Sequence, residues 1–256
     1  MICAGIDAGS RTIKVVLLDV DAQEVVACDV VDQGVEQDAI AQRLLNAMLE
    51  KNGLTRGEVR AIVATGYGRK LIHGADATIT EITCQAVGVS HGVPGTRTVI
   101  DIGGQDSKLL RLDPGGTVAD FVMNDRCAAG TGRFLEVVAT RLGVRLASLG
   151  EMAANSRNPA VISNMCVVFA ETEIVGLLAA GIPPENIVAG VQASIATRMT
   201  AMAGGRVTPP VVFTGGVANV PGMRPALCAA LGQDVTVAPE AQLTCARGAA
   251  ILAARL

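Results

Sequence analysis

The chain alternates between short apolar runs and longer segments whose apolar positions recur every three or four residues. The short runs predict strands, and the longer ones predict amphipathic helices. The predicted strands are 2–7, 13–19, 24–31, 59–64, 98–101, 108–113, 117–122, 211–214 and 234–237. The predicted helices are 36–52, 81–91, 134–142, 166–180, 184–202, 221–231 and 241–256. Strands and helices alternate along the whole chain, which predicts the α/β class.

One strand–turn–strand pattern occurs twice. The matching positions are Ile6, Asp7, Gly9, Lys14 and Asp19 in the first copy and Ile100, Asp101, Gly103, Lys108 and Asp113 in the second. Such a repeat indicates duplicated halves. Pro94-Gly95 breaks the chain between the copies, so we expect an N-terminal lobe of residues 1–95 and a C-terminal lobe of 96–256. The final predicted helix, 241–256, can pack back on the N-terminal lobe.

Composition excludes several classes of partner. Half of the 256 residues are apolar, the net charge is −3, and there is one Tyr and no Trp. A basic face with interleaved aromatic residues is missing, so nucleic acid is not an expected partner. No apolar run reaches 18 residues, so we expect no membrane span. The first residues enter a strand without a basic leader, and the seven cysteines are an odd, scattered set. Both features predict a reducing, cytoplasmic location.

The glycine turn in each copy of the repeat is suited to phosphate. Glycine lets backbone N–H groups approach a phosphate closely. Asp7 and Asp101 end the strands before these turns, and a carboxylate beside phosphate usually acts through Mg²⁺ and its waters. The phosphate-binding candidates are Gly9, Ser10, Arg11, Thr12, Lys14, Gly103 and Gly104. Gln105 and Asp106 are the candidates for positioning the attacking water.

A third glycine turn, Gly215-Gly216, follows the predicted strand 211–214 and can admit an adenosine without an obstructing side chain. The expected nucleotide contacts at this end are Gly215, Gly216, Val217, Asn219 and Gln242. A lone Asp-x-Gly turn is typical of an ordinary hairpin, but the duplicate and the third turn together favour nucleotide binding. Neither a P-loop nor a Gly-x-Gly-x-x-Gly after the first strand is present.

Two cysteines stand where apolar helices are expected to begin. Cys127 lies on a turn of small residues, and Cys166 opens the helix through Ala180. Backbone N–H groups and the helix dipole at such a place lower the pKa of a thiol and favour the thiolate. The alternative is that both are buried structural cysteines.

Four segments carry a resemblance to a known family: Val99–Lys108 (VIDIGGQDSK), Met123–Phe134 (MNDRCAAGTGRF), Met165–Glu171 (MCVVFAE) and Thr214–Asn219 (TGGVAN). Together they resemble the activator ATPases of 2-hydroxyacyl-CoA dehydratases, which form one family with the ATP-binding subunits of benzoyl-CoA reductase. The arrangement of the whole chain is similar to the actin/hexokinase/Hsp70 type of fold. That resemblance implies two duplicated, ribonuclease H-like lobes around an ATP cleft.

The resemblance also implies cofactors and partners. It implies Cys127 and Cys166 as ligands of one [4Fe-4S] cluster shared between two subunits, together with ATP and Mg²⁺. Two thiolates per chain cannot complete a four-cysteine site, so a homodimer or pseudo-dimer is expected. It implies an oxygen-sensitive protein of anaerobic metabolism that hydrolyses ATP. The electron would come from ferredoxin or flavodoxin and pass at low potential to a partner iron–sulfur enzyme, a 2-hydroxyacyl-CoA dehydratase.

Other interpretations of the function stay open. Within the family, the alternatives are a benzoyl-CoA reductase ATPase subunit and a reductase of a double-cubane cluster protein. Outside it, a small-molecule kinase of the same fold would have no cluster, and a regulatory module would hold nucleotide without turnover. Arg247 stands where relatives usually carry a small residue. Glu136, Glu171 and Glu173 follow the two cysteines, and each of them can be solvated, sense nucleotide or face a partner.

Overall fold

A computed structural model describes residues 1–163 and 166–256. The chain divides into two compact units. The first contains Met1–Thr96, Leu112–Ala119 and Ala238–Leu256, and the second contains Arg97–Arg111 and Asp120–Val237. Within the described part of the chain, no helix is both long and apolar enough to cross a membrane.

The elements follow the predicted α/β alternation. The strands are β1 (Ile2–Ala8), β2 (Thr12–Asp19), β3 (Glu24–Asp32), β4 (Val59–Thr65), β5 (Ala77–Thr78), β6 (Thr98–Ile102), β7 (Ser107–Leu112), β8 (Val118–Asn124), β9 (Val211–Thr214) and β10 (Thr236–Val237). The helices are α1 (Gln37–Lys51), α2 (Glu81–Gly92), α3 (Gly132–Leu142), α4 (Leu149–Ala154), α5 (Val167–Ala179), α6 (Pro184–Met202), α7 (Met223–Leu231) and α8 (Thr244–Ala253).

Two five-stranded sheets repeat one topology. The first sheet has the order β3-β2-β1-β4-β5, and the second has the order β10-β9-β6-β7-β8. In both, the first two strands of the repeat pair antiparallel, and the first strand also pairs parallel with the strand that follows a long connection. The registers agree as well, since Asp7 pairs with Lys14 and Asp101 with Lys108. The duplication predicted from the sequence is confirmed.

The first sheet is buried on both faces. Leu17 of β2 packs in the cluster that contains Leu45 and Met48 of α1, whereas its neighbour Leu18 packs with Ala250 of α8 on the opposite face. Successive side chains of a strand point to opposite faces, which explains why β2 is almost continuously apolar.

Helices α2 and α8 lie close together because glycine stands at their contact. A Cβ atom at Gly88 would lie 1.8 Å from the Thr244 carbonyl oxygen, and one at Gly248 would lie 1.8 Å from that of Cys84. No larger residue fits without separating the helices. This contact fixes α8, which is drawn from the far end of the chain, within the first unit.

The structure differs from the predicted elements in three places. It adds the two-residue strand β5 and the short helix α4, neither of which is long enough to give a periodic pattern. It shortens the last predicted helix to Thr244–Ala253. It begins α3 at Gly132, two residues before the predicted 134–142, and separates this helix from Cys127 by a 3₁₀ turn.

Candidate phosphate turns and cysteine sites

The first turn places a buried ion pair beside glycine. Asp7 is 4% exposed at the end of β1, and its Oδ2 lies 3.0 Å from Nζ of Lys14 on β2. The Gly9 N–H donates to the Thr12 carbonyl at 3.1 Å and closes the turn. Asp7 Oδ1 is buried and accepts no hydrogen bond. Buried carboxylate oxygens are normally satisfied, so this atom is suited to a hydrated cation.

The second turn carries a denser set of charges. Lys108 is 1% exposed, and its Nζ lies 2.5 Å from Asp106 Oδ2 and 3.5 Å from Asp101 Oδ2. The hydroxyl of Thr214 donates to Asp101 Oδ1 at 3.3 Å. Gln105 is exposed at the tip of the turn. The two water-positioning candidates therefore differ, because Asp106 is held by an ion pair and Gln105 stands in solvent.

The repeat has a further pair of matching residues that the sequence analysis did not select. In each sheet a parallel strand ends beside the aspartate, so Thr65 pairs with Asp7 and Thr214 with Asp101. The glycine after each threonine has a positive φ, +88° at Gly66 and +86° at Gly215. Gly66 is thus the counterpart of Gly215 in the first unit. Comparing Thr65-Gly66 with Thr214-Gly215 in the sequence would have found it.

Alanine at Gly66 is expected to weaken both folding and nucleotide binding. Its Cβ would lie 2.4 Å from Asp7 Oδ1 and 2.6 Å from the Ala8 carbonyl oxygen, in a backbone conformation that costs about 1–3 kcal/mol for other residues. We expect the free energy of unfolding to fall by at least that amount, with a raised dissociation constant for Mg·ATP. Urea unfolding and calorimetric titration measure the two effects. Gly53→Ala is the control for positive φ, because a Cβ there meets nothing within 4 Å. Equal losses in the two variants would contradict a special role for Gly66.

The third turn is a single 3₁₀ turn, Gly216–Asn219, that follows Gly215. A Cβ at Gly215 would lie 2.5 Å from Asp101 Oδ1, so this turn touches the second one. Val217 is buried and Asn219 is exposed. Gln242 lies in the first unit, half-buried just before α8. Its role as a nucleotide contact stays a prediction.

Arg247 is a buried residue of α8 with a fixed partner. Its side chain is 10% exposed and forms an ion pair with Glu240. The carboxylate of Glu240 also accepts from the Cys28 thiol at 3.6 Å. The Glu240 carboxylate therefore holds Arg247 within the first unit.

The expected helix start at Cys127 is wrong. Cys127 precedes a separate 3₁₀ turn, Ala128–Gly130, and α3 begins five residues further on at Gly132. The first N–H groups of α3 already have acceptors, since those of Gly132 and Arg133 donate to the carbonyls of Gly103 and Gly104, each at 2.9 Å. The N-terminus of α3 is thus bonded to the second turn and is not available to the Cys127 thiol.

Gly132 has little room for a side chain at this junction. A Cβ would lie 3.2 Å from the Gly103 carbonyl oxygen and 3.1 Å from Val217 Cγ2. The start of α3 therefore packs against the second and the third turn together. A displacement of either turn would act directly on this helix.

Cys166 is exposed in extended backbone just before α5. The first residue of its motif, Met165, lies outside the described residues. Large apolar side chains near it are also exposed, with Val168 at 67% and Phe169 at 65%. Cys127 is half-buried and packs against the core of the second unit. Among the described residues, no three His, Cys, Asp or Glu side chains are grouped as a metal site.

The other cysteines are suited to packing. All seven are described, and they form no disulfide. Cys3, Cys84 and Cys245 are buried. Burial raises the pKa of Cys84 to about 11, and the Thr65 hydroxyl opposes that shift only in part. A thiol with this pKa stays protonated at neutral pH and binds metal poorly.

The three acidic residues after the cysteines have partners within the second unit. Glu171 of α5 forms an ion pair with Arg141 of α3. Glu173 accepts hydrogen bonds from the backbone N–H and the hydroxyl of Ser163, the latter at 2.6 Å. Glu136 pairs with Arg133 at 3.1 Å on α3. Two of these contacts organise the cysteine segments, because one joins α3 to α5 and the other ties the loop before Cys166 to the helix after it.

Known proteins resemble this chain over almost its whole length. An activator of lactoyl-CoA dehydratase from Anaerotignum propionicum is 44% identical over 254 residues, which cover 99% of this chain and 97% of that protein. The solved activator of the 2-hydroxyisocaproyl-CoA dehydratase from Clostridium difficile, with bound ADPNP, is 40% identical with a TM-score of 0.92 and covers 99% of this chain and 94% of its own. Component A of the Acidaminococcus fermentans (R)-2-hydroxyglutaryl-CoA dehydratase is 39% identical with a TM-score of 0.93, at coverages of 100% and 98%.

A more distant likeness concerns the fold alone. A ROK hexokinase from Thermus thermophilus is 16% identical with a TM-score of 0.57, and the match covers 100% of this chain and 98% of that one. The actin/hexokinase-like fold expected from the sequence is therefore confirmed. The model of the BadF/BadG/BcrA/BcrD ATPase family matches residues 4–253. This match and the close relatives show that the chain belongs to that ATPase family.

Proposed function

We propose that this protein is an ATP-hydrolysing electron-transfer activator of a 2-hydroxyacyl-CoA dehydratase. The observation that carries the proposal is the direct bonding of the second turn to α3, the helix that follows Cys127. A turn suited to phosphate and a segment suited to a metal ligand are thereby joined through two backbone hydrogen bonds. The names of the close relatives, which are dehydratase activators, support the same activity.

The two aspartates and the glycine turns are assigned to Mg·ATP. Asp7 would hold waters of Mg²⁺ through its unpaired Oδ1, and Asp101 would do so from the second turn. Gly9, Ser10, Arg11, Thr12 and Lys14 would contact phosphate in the first unit, as would Gly103 and Gly104 in the second. Gln105 is exposed and able to orient the attacking water, while Lys108 keeps Asp106 and Asp101 in place.

Cys127 and Cys166 are assigned as the cluster ligands. Neither has a disulfide partner, and each stands in extended backbone before a helical turn. The donor set fits half of a four-cysteine site, so two copies of the chain would hold one [4Fe-4S] cluster. When bound, such a cluster supplies one-electron transfer at low potential. The exposed Val168 and Phe169 beside Cys166 are suited to burial against the second copy.

The proposed donor is a ferredoxin or flavodoxin, and the proposed acceptor is the dehydratase. The absence of disulfides among the seven described cysteines supports a reducing cytoplasm. The whole proposal is tested by anaerobic purification with analysis of iron, sulfide and ATP turnover. We expect about four Fe per dimer after reconstitution, and ATP-dependent reduction of a dehydratase. Iron-free protein that turns over ATP would contradict the electron-transfer role.

Gln105→Ala is expected to slow ATP hydrolysis by about 10–100-fold and to leave the iron content unchanged. The amide orients water but has no part in holding Asp101 or Lys108, so binding of Mg·ATP should change little. Phosphate release and iron are measured on the same sample, with Gln23→Ala, an exposed glutamine of the first unit, as the control. Wild-type turnover in Gln105→Ala would remove the residue from the mechanism.

A further inference from the structure

A second connection runs from the second turn to Cys127, and it passes through side chains. Asn124, the last residue of β8, binds the backbone of Cys127 at both of its polar groups. Its Oδ1 accepts from the Cys127 N–H at 3.0 Å, and its Nδ2 donates to the Cys127 carbonyl at 2.8 Å. One amide thus fixes the orientation of the peptide groups on either side of the thiol.

The same Asn124 Nδ2 reaches the second turn. It lies 3.5 Å from Oγ of Ser107, the residue that directly follows Asp106. Ser107 is 0% exposed, and its hydroxyl donates in turn to Met202 Sδ at 3.8 Å. The Ser107 hydroxyl therefore faces the interior of the second unit and is not placed to contact a nucleotide.

We propose that Ser107 and Asn124 are positioning residues that carry the nucleotide state of the second turn to the Cys127 thiol. A phosphate or hydrated cation at Asp106 and Gly103 would shift the start of β7. Ser107 would move with it, and the shared Nδ2 of Asn124 would re-orient the peptide groups at Cys127. The inference rests on the proposed function, because it requires a nucleotide at this turn.

This side-chain connection is separate from the backbone bonds between the turn and α3. Those bonds hold the start of the whole helix, whereas Asn124 contacts one residue of a half-buried segment. The side-chain connection also depends on fewer groups, because a single hydroxyl, that of Ser107, joins Asn124 to the second turn. Removing that hydroxyl leaves both hydrogen bonds of Asn124 to Cys127 in place. Ser107→Ala therefore separates the transmission of a signal from the folding of the Cys127 segment.

The test measures alkylation of Cys127 in the full-length, iron-free chain. N-ethylmaleimide is applied with and without a non-hydrolysable Mg·ATP analogue, and labelled peptides are quantified by mass spectrometry. In the wild type we expect nucleotide to change the rate by at least about fivefold, a usual size for coupling between sites. In Ser107→Ala we expect the basal rate and the nucleotide affinity of the wild type, with the nucleotide effect lost.

Two further variants make the test specific. Asn124→Asp keeps an acceptor for the Cys127 N–H but loses the donor both to Ser107 and to the Cys127 carbonyl, so it should also lose the nucleotide effect. Asp120→Ala, on the same strand and paired with Arg111 in an exposed contact, should retain it. A full nucleotide effect in both Ser107→Ala and Asn124→Asp would overturn the proposal, as would a wild type that binds the analogue without any change at Cys127.

Failure of the proposed function gives a different result. A wild type that shows no calorimetric binding of the Mg·ATP analogue would refute both the nucleotide assignment and this inference. Normal binding and normal iron loading, with a nucleotide effect that persists in the variants, would refute the inference alone. Circular dichroism of each variant confirms that lost effects do not come from unfolding.

Discussion

Cys127→Ala is expected to abolish iron binding, from about four Fe per dimer to almost none after reconstitution. In a twofold dimer the substitution removes two ligands at once, and two remaining thiolates do not hold a four-iron cluster. Electron delivery to a dehydratase should be lost with the iron, while Mg·ATP still binds. Iron and sulfide analysis and the visible absorption of the anaerobic protein measure the effect.

The matched control is Cys228→Ala. Cys228 is also a partly buried cysteine of the second unit, and it contacts the same core cluster. Its thiol lies 3.9 Å from Asp234 and is not assigned to the cluster. We expect wild-type iron in this variant. Equal iron in Cys127→Ala and Cys228→Ala would show that Cys127 is a packing residue.

Lys108→Met is expected to lower the free energy of unfolding by about 3–5 kcal/mol. Methionine preserves most of the apolar stem, but the ammonium between Asp101 and Asp106 is removed. Asp101 is 6% exposed, so its charge would be left in the interior without its cation. A buried charge that loses its partner costs far more than an exposed one. Urea unfolding followed by circular dichroism measures the change.

Arg141→Met provides the comparison for that loss. Arg141 is also the cation of an ion pair in the second unit, but its side chain is 52% exposed and that of Glu171 is 31% exposed. Exposed pairs contribute about 0–1 kcal/mol, so the variant should unfold close to the wild type. Losses of similar size in the two variants would mean that burial does not set the strength of the Lys108 contacts.

Local features of the chain predicted most of the fold and the candidate turns. An apolar strand that ends in Asp and enters a glycine turn is visible within ten residues, and its repetition at Asp7 and Asp101 predicted the duplicated sheets. The Thr-Gly pair at Thr65-Gly66 repeats that at Thr214-Gly215, but the contact of Gly66 with Asp7 depends on the parallel pairing of β1 with β4. Periodicity along one segment carries no information on which distant strand becomes its neighbour.

The first residue of α3 is a second feature that the local sequence predicts only in part. The apolar periodicity predicts this helix over 134–142, whereas α3 begins at Gly132. The carbonyls of Gly103 and Gly104 accept the N–H groups of Gly132 and Arg133 and help to fix the start at Gly132. Thr131 is a local signal for this start, because its hydroxyl accepts from the Arg133 N–H at 3.3 Å and caps the helix. The acceptors on Gly103 and Gly104 belong to another part of the chain, and the local sequence does not reveal them.

The contact between Arg141 and Glu171 has a consequence for how the two cysteine segments respond. Because it joins α3 to α5 and Glu173 joins α5 to Ser163, the segments on both sides of Cys166 are tied to the helix that follows Cys127. A shift of the second turn would then affect the thiols of Cys127 and Cys166 of one chain together. In the proposed dimer, nucleotide would act in the same way on Cys127 and Cys166 of each copy. The arrangement of the four cysteines would then change while its twofold symmetry is preserved.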